Sequence, residues 1–275
     1  MTLPSIPVDK AGKQYWDTSW EEAGLAQAVD PRRAGLRNYV ERRYHRCFAG
    51  LFTAAQTRGM RLLEVGCANS AWLPYFAQEF HFKVAGLDYS EIGCEQERRV
   101  LRGAGVDGEV LCGNLFSPPA AFLSAFDVVV SFGLVEHFSD TREVVAALGT
   151  MLKLGGMLFT MVPNLAGSLG SIQRVLNRPV YDIHVPLDRE ALAEAHRGAG
   201  YAVQSCEYFI ATSFGVCNLN GVPARSAAGV LKKAALAVLA RLSTLEWMLE
   251  GLTGPWPVSR SFSPYINCVA RKDSR

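Results

Sequence analysis

No two of the seven cysteines form a CxxC pair, and none stands at zinc-ligand spacing from a histidine; they fall at positions 47, 67, 94, 112, 206, 217 and 268. This scatter excludes a zinc-ribbon motif and fits reduced, mostly buried thiols. The opening MTLPSIPVDKAGKQYWDTSW has neither a basic stretch nor an apolar core of signal-peptide length, so a cytoplasmic protein is the expectation. Charge of one sign is not in excess. With 28 Lys and Arg against 26 Asp and Glu, the net +2 gives no global field for nucleic acid or membrane partners. Repeats and low-complexity tracts are missing. The stretch VLKKAALAVLARLSTLEWMLEGL is the one long apolar run, yet Lys232, Lys233, Arg241, Glu246 and Glu250 interrupt it too often for a membrane span. A cap helix is the first expectation for it, and an interfacial or dimer helix the next.

What is present is the composition of a globular chain, 49% hydrophobic and 20% charged over 275 residues, enough for one large domain. Residues 1–58 read as an N-terminal helical lid segment. There Leu36, Tyr39, Val40, Tyr44, Cys47, Phe48 and Leu51 share one helix face, and the arginines from Arg32 to Arg46 are a solvated face. From residue 59 to 275 short apolar runs alternate with helical stretches, the pattern of a doubly wound α/β domain. Strands are predicted at 61–65, 83–88, 108–112, 126–132, 156–162, 202–210 and 264–271. Helices are predicted near 71–80, 90–104, 141–152 and 188–199, with Gly155-Gly156 as a turn into the fifth strand. Cap insertions are expected at about 163–187 and 211–262.

The informative segment is RLLEVGCANSAWLPYFAQEFHFKVAGLDYSE, residues 61–91. Its first strand ends in Glu64-Val65-Gly66, a turn and a helix follow, and the second strand ends in Asp88. Such a unit forms a nucleotide crevice at the carboxyl ends of parallel strands. A dinucleotide site needs GxGxxG to press amides against a pyrophosphate; the run here is GCANSA, which keeps only the first glycine. S-adenosylmethionine has no pyrophosphate, and its cationic sulfonium and amino acid part favour a carboxylate such as Glu64. Asp88 stands where both ribose hydroxyls would be bound.

These residues resemble the class I S-adenosylmethionine-dependent methyltransferases, of the small-molecule type and similar to the ubiquinone methyltransferase group. The resemblance covers about 60–210 and the last strand. It implies a Rossmann-like, seven-stranded, mostly parallel sheet with helices on both faces and a helical cap inserted before the last strand. The first motif falls on Glu64, Gly66, Ala68 and Ser70, with Cys67 and Asn69 lining the loop. The resemblance places Asp88 on the ribose, Tyr89 beside the adenine, and Asn114 and Leu115 at the adenine edge. Phe132, ending the fourth strand, and Tyr15, in the N-terminal segment, complete the expected cofactor contacts. Related enzymes carry Glu-x-x-Glu-His after the fourth strand; here Gly133-Leu134-Val135-Glu136-His137 lacks the first acid, so no metal is expected.

His137 and His184 are the expected catalytic groups, since an imidazole titrates near neutrality. His45, His81 and His196 read as surface or helix histidines. The expected reaction is in-line methyl transfer to an O, N, C or S atom of a small, partly apolar acceptor such as a specialised metabolite. Phe209, Phe214, Trp247, Trp256 and Phe262 suggest the apolar character. Positioning does most of the work in such a step, about 7 to 11 kcal/mol. The rivals are a nicotinamide enzyme, a non-catalytic scaffold with a degenerate pocket, and a nucleic acid methyltransferase using the arginine-rich helix. No base-modifying Pro-Pro-Tyr tetrapeptide supports the last, and no nucleic acid partner is expected. The chain is expected to act as a monomer or homodimer.

Overall fold

In the computed structural model, residues 7–223 and 225–273 are described. The chain runs α1 (Lys13–Glu22), α2 (Tyr39–Leu51), α3 (Ala54–Thr57), β1 (Arg61–Val65), α4 (Trp72–Phe80), β2 (Lys83–Asp88), α5 (Glu91–Gly103) and β3 (Gly108–Cys112). It continues through β4 (Phe126–Phe132), α6 (Thr141–Thr150), β5 (Leu152–Pro163), α7 (Ser168–Leu176), α8 (Arg178–Asp182) and α9 (Arg189–Gly198). β6 (Tyr201–Phe209), α10 (Ala227–Thr253) and β7 (Tyr265–Lys272) close it.

The seven strands order as β3-β2-β1-β4-β5-β7-β6, with β7 antiparallel to both neighbours and the other adjacent pairs parallel. The order reverses beside β1. That switch point opens a crevice at the carboxyl ends of β1, β2 and β4. The central strands read as continuous apolar runs because helices cover both faces: Leu62, Leu63, Val129 and Val130 are fully buried. One core layer joins Leu63, Val129 and Leu158 to Val145 and Leu148 of α6. The other joins Leu62, Val130 and Phe159 to Phe76 of α4, and to Tyr44 and Phe48 of α2.

Sidedness in α2 follows its sequence, with Tyr39, Tyr44 and Phe48 buried. Ser90, Asp140 and Asp188 cap α5, α6 and α9, each side chain accepting from a backbone N–H three residues on. Two expectations give way. β5 begins at Leu152, not 156, because Gly155-Gly156 forms an irregularity inside the strand: its pairing to β4 shifts between Phe126↔Leu152 and Val128↔Met157, and Gly155 takes φ +74°. His196 is a helix histidine, and the surface alternative falls. It is fully buried in α9, where Leu192 O and Thr160 Oγ1 bind its two nitrogens at 2.8 and 3.0 Å.

The segment between β6 and β7 does hold a helix, but α10 packs away from the crevice. Trp247 stacks on Tyr39 at 4.7 Å, its indole N–H donates to Thr212 O at 3.1 Å, and Arg43 pairs with Glu250 at 3.4 Å. Leu236 and Leu239 meet Leu169 and Leu176 of α7. No described helix is long and apolar enough to cross a membrane.

Candidate active site

Two adjoining cavities of about 210 and 350 Å³ lie at the crevice, sharing Gly66, Asp88, Tyr89 and Leu134. The smaller runs over the ends of β1 to β3, between Val65, Leu87, Leu115 and Phe138, with Asp9 and Asn114 as polar members. Trp16, Trp20, Trp72 and Phe132 wall the larger, which lies over Glu64 and the loop Ala68–Ser70.

Asp88 sits where they meet, 8% exposed. Its Oδ2 accepts from Ala68 N at 3.1 Å and its Oδ1 from Ser90 N at 2.8 Å. Burial pushes its pKa up and these amides oppose that shift. An ionised carboxylate offers about four acceptor sites, so two amides leave capacity for a ligand hydroxyl.

Beneath the loop lies a second acid. Glu64 is 2% exposed, and Ser70 Oγ donates to its Oε2 at 2.8 Å. A third, Glu97 of α5, accepts from Ser70 N at 2.6 Å, and its other oxygen has no partner. Burial raises Glu64 well above the usual range, with Glu97 and Asp88 adding to the rise, and it raises Glu97 to about 8. The protein partners of all three acids are amides and a hydroxyl, and no lysine or arginine pairs with them among the described residues. Such a cluster fits a ligand that brings its own positive charge, as an ammonium and a sulfonium do. Sequence inspection passed over Glu97. The signal was a lone acid on the buried face of α5, among Cys94, Val100 and Leu101.

The N-terminal segment closes the crevice. Asp9 bridges to Phe138 as a short antiparallel pair, and Lys10 N donates to His137 O at 2.8 Å. Tyr89 donates its hydroxyl to Asp9 Oδ2 at 2.6 Å, and Ser90 donates to Asp17 Oδ1 at 2.6 Å. Asn69, at φ +52°, holds Ala26 N and Gly24 O with its side-chain amide at 2.8 and 2.9 Å.

The expected cofactor residues Glu64, Gly66, Ala68, Asn69, Asp88, Tyr89, Asn114, Leu115 and Phe132 thus line one or both cavities. Four expected residues do not. Tyr15 points elsewhere on α1, one helical step from the lining Trp16. Cys67 turns its thiol onto β2, where a Cβ on Gly86 would lie 2.5 Å from its Sγ. His137 and His184 come together, ring centroids 4.3 Å apart, but behind Trp16, whose ring meets His137 edge-on at 4.9 Å. Burial, then His184, lowers His137 to about 3, so it is neutral and a poor base. The aromatic side chains of 211–262 also line neither cavity; the aromatic wall comes from α1, α4 and β4 instead.

Glu136, His137 and His184 bring one carboxylate oxygen and two imidazole nitrogens within 4.8 Å of one another, a set able to ligate a divalent ion. Both carboxylate oxygens of Glu136 lack a protein partner, and burial raises its pKa to about 8, the range of a neutral acid.

This strand order, with the acid-lined crevice at its switch point, defines the class I S-adenosylmethionine-dependent methyltransferases. The chain belongs to the family described as "Methyltransferase domain", whose model matches residues 35–206. Its cofactor is S-adenosylmethionine. The ubiquinone biosynthesis O-methyltransferase of Saccharophagus degradans is 24% identical over 220 residues, covering 74% of this chain and 86% of that one. The enzyme of that name from Thiobacillus denitrificans is 30% identical over 158 residues, 54% of this chain and 67% of that one. Among solved structures, geranyl diphosphate C-methyltransferase from Streptomyces coelicolor superposes with a TM-score of 0.55 at 14% identity, covering 98% of this chain and 100% of that one. The cyclase SpnF superposes at 0.59 with 16% identity, covering 98% of each. At these identities the superpositions speak for the fold alone.

Proposed function

We propose that the chain methylates a small, partly apolar acceptor, with the smaller cavity taking the adenosine and the larger holding the methionine part and the acceptor. The observation that carries this division is Asp88, whose carboxylate stands at the junction of the two cavities with both oxygens fixed by backbone amides. In this reading Asp88 accepts from the ribose hydroxyls, Asn114 and Leu115 border the adenine, and Tyr89 packs beside it. Glu64 and Glu97 hold the ammonium of the amino acid end through the Ala68–Ser70 loop. S-adenosylmethionine supplies an electrophilic methyl group on a positively charged sulfur. Trp16, Trp20, Trp72 and Phe132 exclude water and present aromatic faces that attract such a cation.

In this reading the rate comes from positioning, because the expected base His137 is neutral, weakly basic and screened by Trp16. The acceptor atom is accordingly one that reacts without early removal of a tightly held proton, such as an acidic phenol oxygen, a thiol or an amine. An oxygen is favoured by the named activity of the sequence relatives. The aromatic wall favours a flat or apolar acceptor, which includes specialised metabolites.

Calorimetry with S-adenosylmethionine and S-adenosylhomocysteine tests the cofactor half. Asp88→Ala is expected to weaken both by about tenfold or more, since each charge-assisted hydrogen bond lost costs roughly 1.5 to 3 kcal/mol. Unchanged binding by this variant would remove Asp88 from the site. Transfer of labelled methyl to a panel of phenols, thiols and amines tests the acceptor half, and transfer only to large polar acceptors would refute it.

A further inference from the structure

The arginines of α2 line a separate cavity, away from the crevice. At about 100° per residue, Tyr39, Arg42, Arg43 and Arg46 fall within an arc of roughly 100°, on the side of α2 opposite buried Tyr44 and Phe48. From the sequence that side is a solvated face. The C-terminal end of α10 crosses it instead, and a space of about 350 Å³ lies between the arginines and Trp247, Glu250 and the Gly254-Pro255 peptide. It shares no residue with the two cavities of the crevice.

The charges on this wall do not balance. Glu250 is its one acid and is already occupied: Oε2 takes the Tyr39 hydroxyl and the Arg43 guanidinium, the latter at 3.4 Å, and Oε1 accepts from Trp256 N at 2.7 Å. Arg42 donates from one nitrogen to the carbonyls of Arg33 and Gly35, at 3.0 and 2.7 Å. Its remaining N–H groups and all of those of Arg46 have no acceptor among the described residues, and neither residue has a carboxylate there in ion-pair range. Glu41, next to Arg42 in sequence, points about 150° from the centre of the arc and does not line the cavity. Two cations therefore face a walled space with no anion of the protein to meet them. One helical turn apart, Arg42 and Arg46 carry Cβ atoms about 6 Å from each other, so both guanidinium forks reach one tetrahedral group. A phosphate monoester brings a charge of about −1.5 to −2 near pH 7 and three terminal oxygens, which matches the surplus. A carboxylate or a phosphodiester brings a single charge and leaves one cation unpaired. The stacked rings of Tyr39 and Trp247, 4.7 Å apart, add an apolar wall for the organic part of an ester. We infer that this cavity is a second ligand site, for a small molecule bearing a phosphate monoester, with Arg42 and Arg46 on the phosphate and the Tyr39–Trp247 pair beside the rest.

The site is independent of the methyl-transfer reading, and calorimetry of the whole protein, with the crevice filled by S-adenosylhomocysteine, tests it. Phenyl phosphate is expected to bind once per chain, and benzoate roughly tenfold more weakly, the worth of about one charge-assisted contact. Arg46 is exposed, so Arg46→Gln should leave the melting temperature and the affinity for S-adenosylhomocysteine as in wild type. It should weaken phenyl phosphate by about ten- to a hundredfold, and Arg42→Gln by a similar factor. Arg99→Gln, an exposed arginine of α5, should leave that affinity unchanged. Three outcomes overturn the inference: no binding of phenyl phosphate by wild type, binding that Arg46→Gln leaves as it was, or benzoate bound as tightly as phenyl phosphate. A single-stranded oligonucleotide without terminal phosphates that displaces phenyl phosphate and binds more tightly would overturn it as well, assigning the arginines to a nucleic acid backbone.

Discussion

Two helices, α2 and α10, come from opposite ends of the chain, and both are rich in large apolar side chains. In α2 these side chains end in the core, with Tyr44 and Phe48 at 2% and 0% exposure, whereas in α10 seven leucine and valine side chains end in solvent. The difference is in what each can reach. α2 presents one narrow apolar face, which finds Phe76 of α4 and Phe159 of the sheet. α10 is apolar on more than one face; its packed side is occupied by short contacts to α2 and α7, and among the described residues the other side has no partner. Apolar content therefore reports burial in one helix and an outward surface in the other.

The largest effect that would sharpen this contrast is Phe48→Ala, expected to cost about 3 to 5 kcal/mol in urea unfolding. Leu242→Ala, on the exposed side of α10, should stay within about 0.5 kcal/mol. If the two cost alike, α10 is covered and the contrast fails. Next comes α1, which is neither core nor free surface: Trp16→Ala is expected to weaken S-adenosylmethionine about three- to thirtyfold by calorimetry while leaving stability nearly unchanged.

A smaller effect concerns pH. Glu97 and Glu136 titrate near 8 in the folded chain and near 4.3 when unfolded, so the native state binds the extra protons in between. Stability should fall as pH rises from about 6.5 to 8, by up to about 1.4 kcal/mol per unit for each group. On the acid side, His137 and His196 stay neutral down to about 3 and 4. Unfolded imidazoles take up protons below about 6.5, which offsets the gain from the two carboxyls, so stability should level off between about 6.5 and 4.3 and fall as pH drops further. Melting curves of wild type and Glu136→Gln check this, with a flatter alkaline limb expected for the variant. The smallest expected effect is that of EDTA, which should leave the melting temperature unchanged; a drop would show that Glu136, His137 and His184 hold an ion.

Most of the sheet was legible because its strands are short, apolar and separated by helices whose caps are written in Ser90, Asp140 and Asp188. The cofactor loop was legible for the same reason: Gly66 and Asp88 end adjacent strands, so position alone brings them together. What resisted reading depended on direction across space. Tyr15 and Trp16 are neighbours in sequence, and only the docking of α1 decides which one meets the cavity. His137 and His184 do meet, but in a dry recess. The aromatic residues of 211–262 have the composition of an acceptor wall, yet none lines either cavity of the crevice, and Trp247 is spent on Tyr39 of α2.

The antiparallel bridge from Asp9 to Phe138 has a kinetic consequence. With Tyr89, His137 and Asn69 also tied to residues 9–26, the strap crosses the mouth of both cavities. A product seated beneath it leaves no faster than the strap unfastens, so turnover should be clocked by breaking a few backbone and carboxylate hydrogen bonds rather than by chemistry. Shortening the chain from its front end would then trade residence time for leakiness, with a faster off-rate for S-adenosylhomocysteine as its first sign.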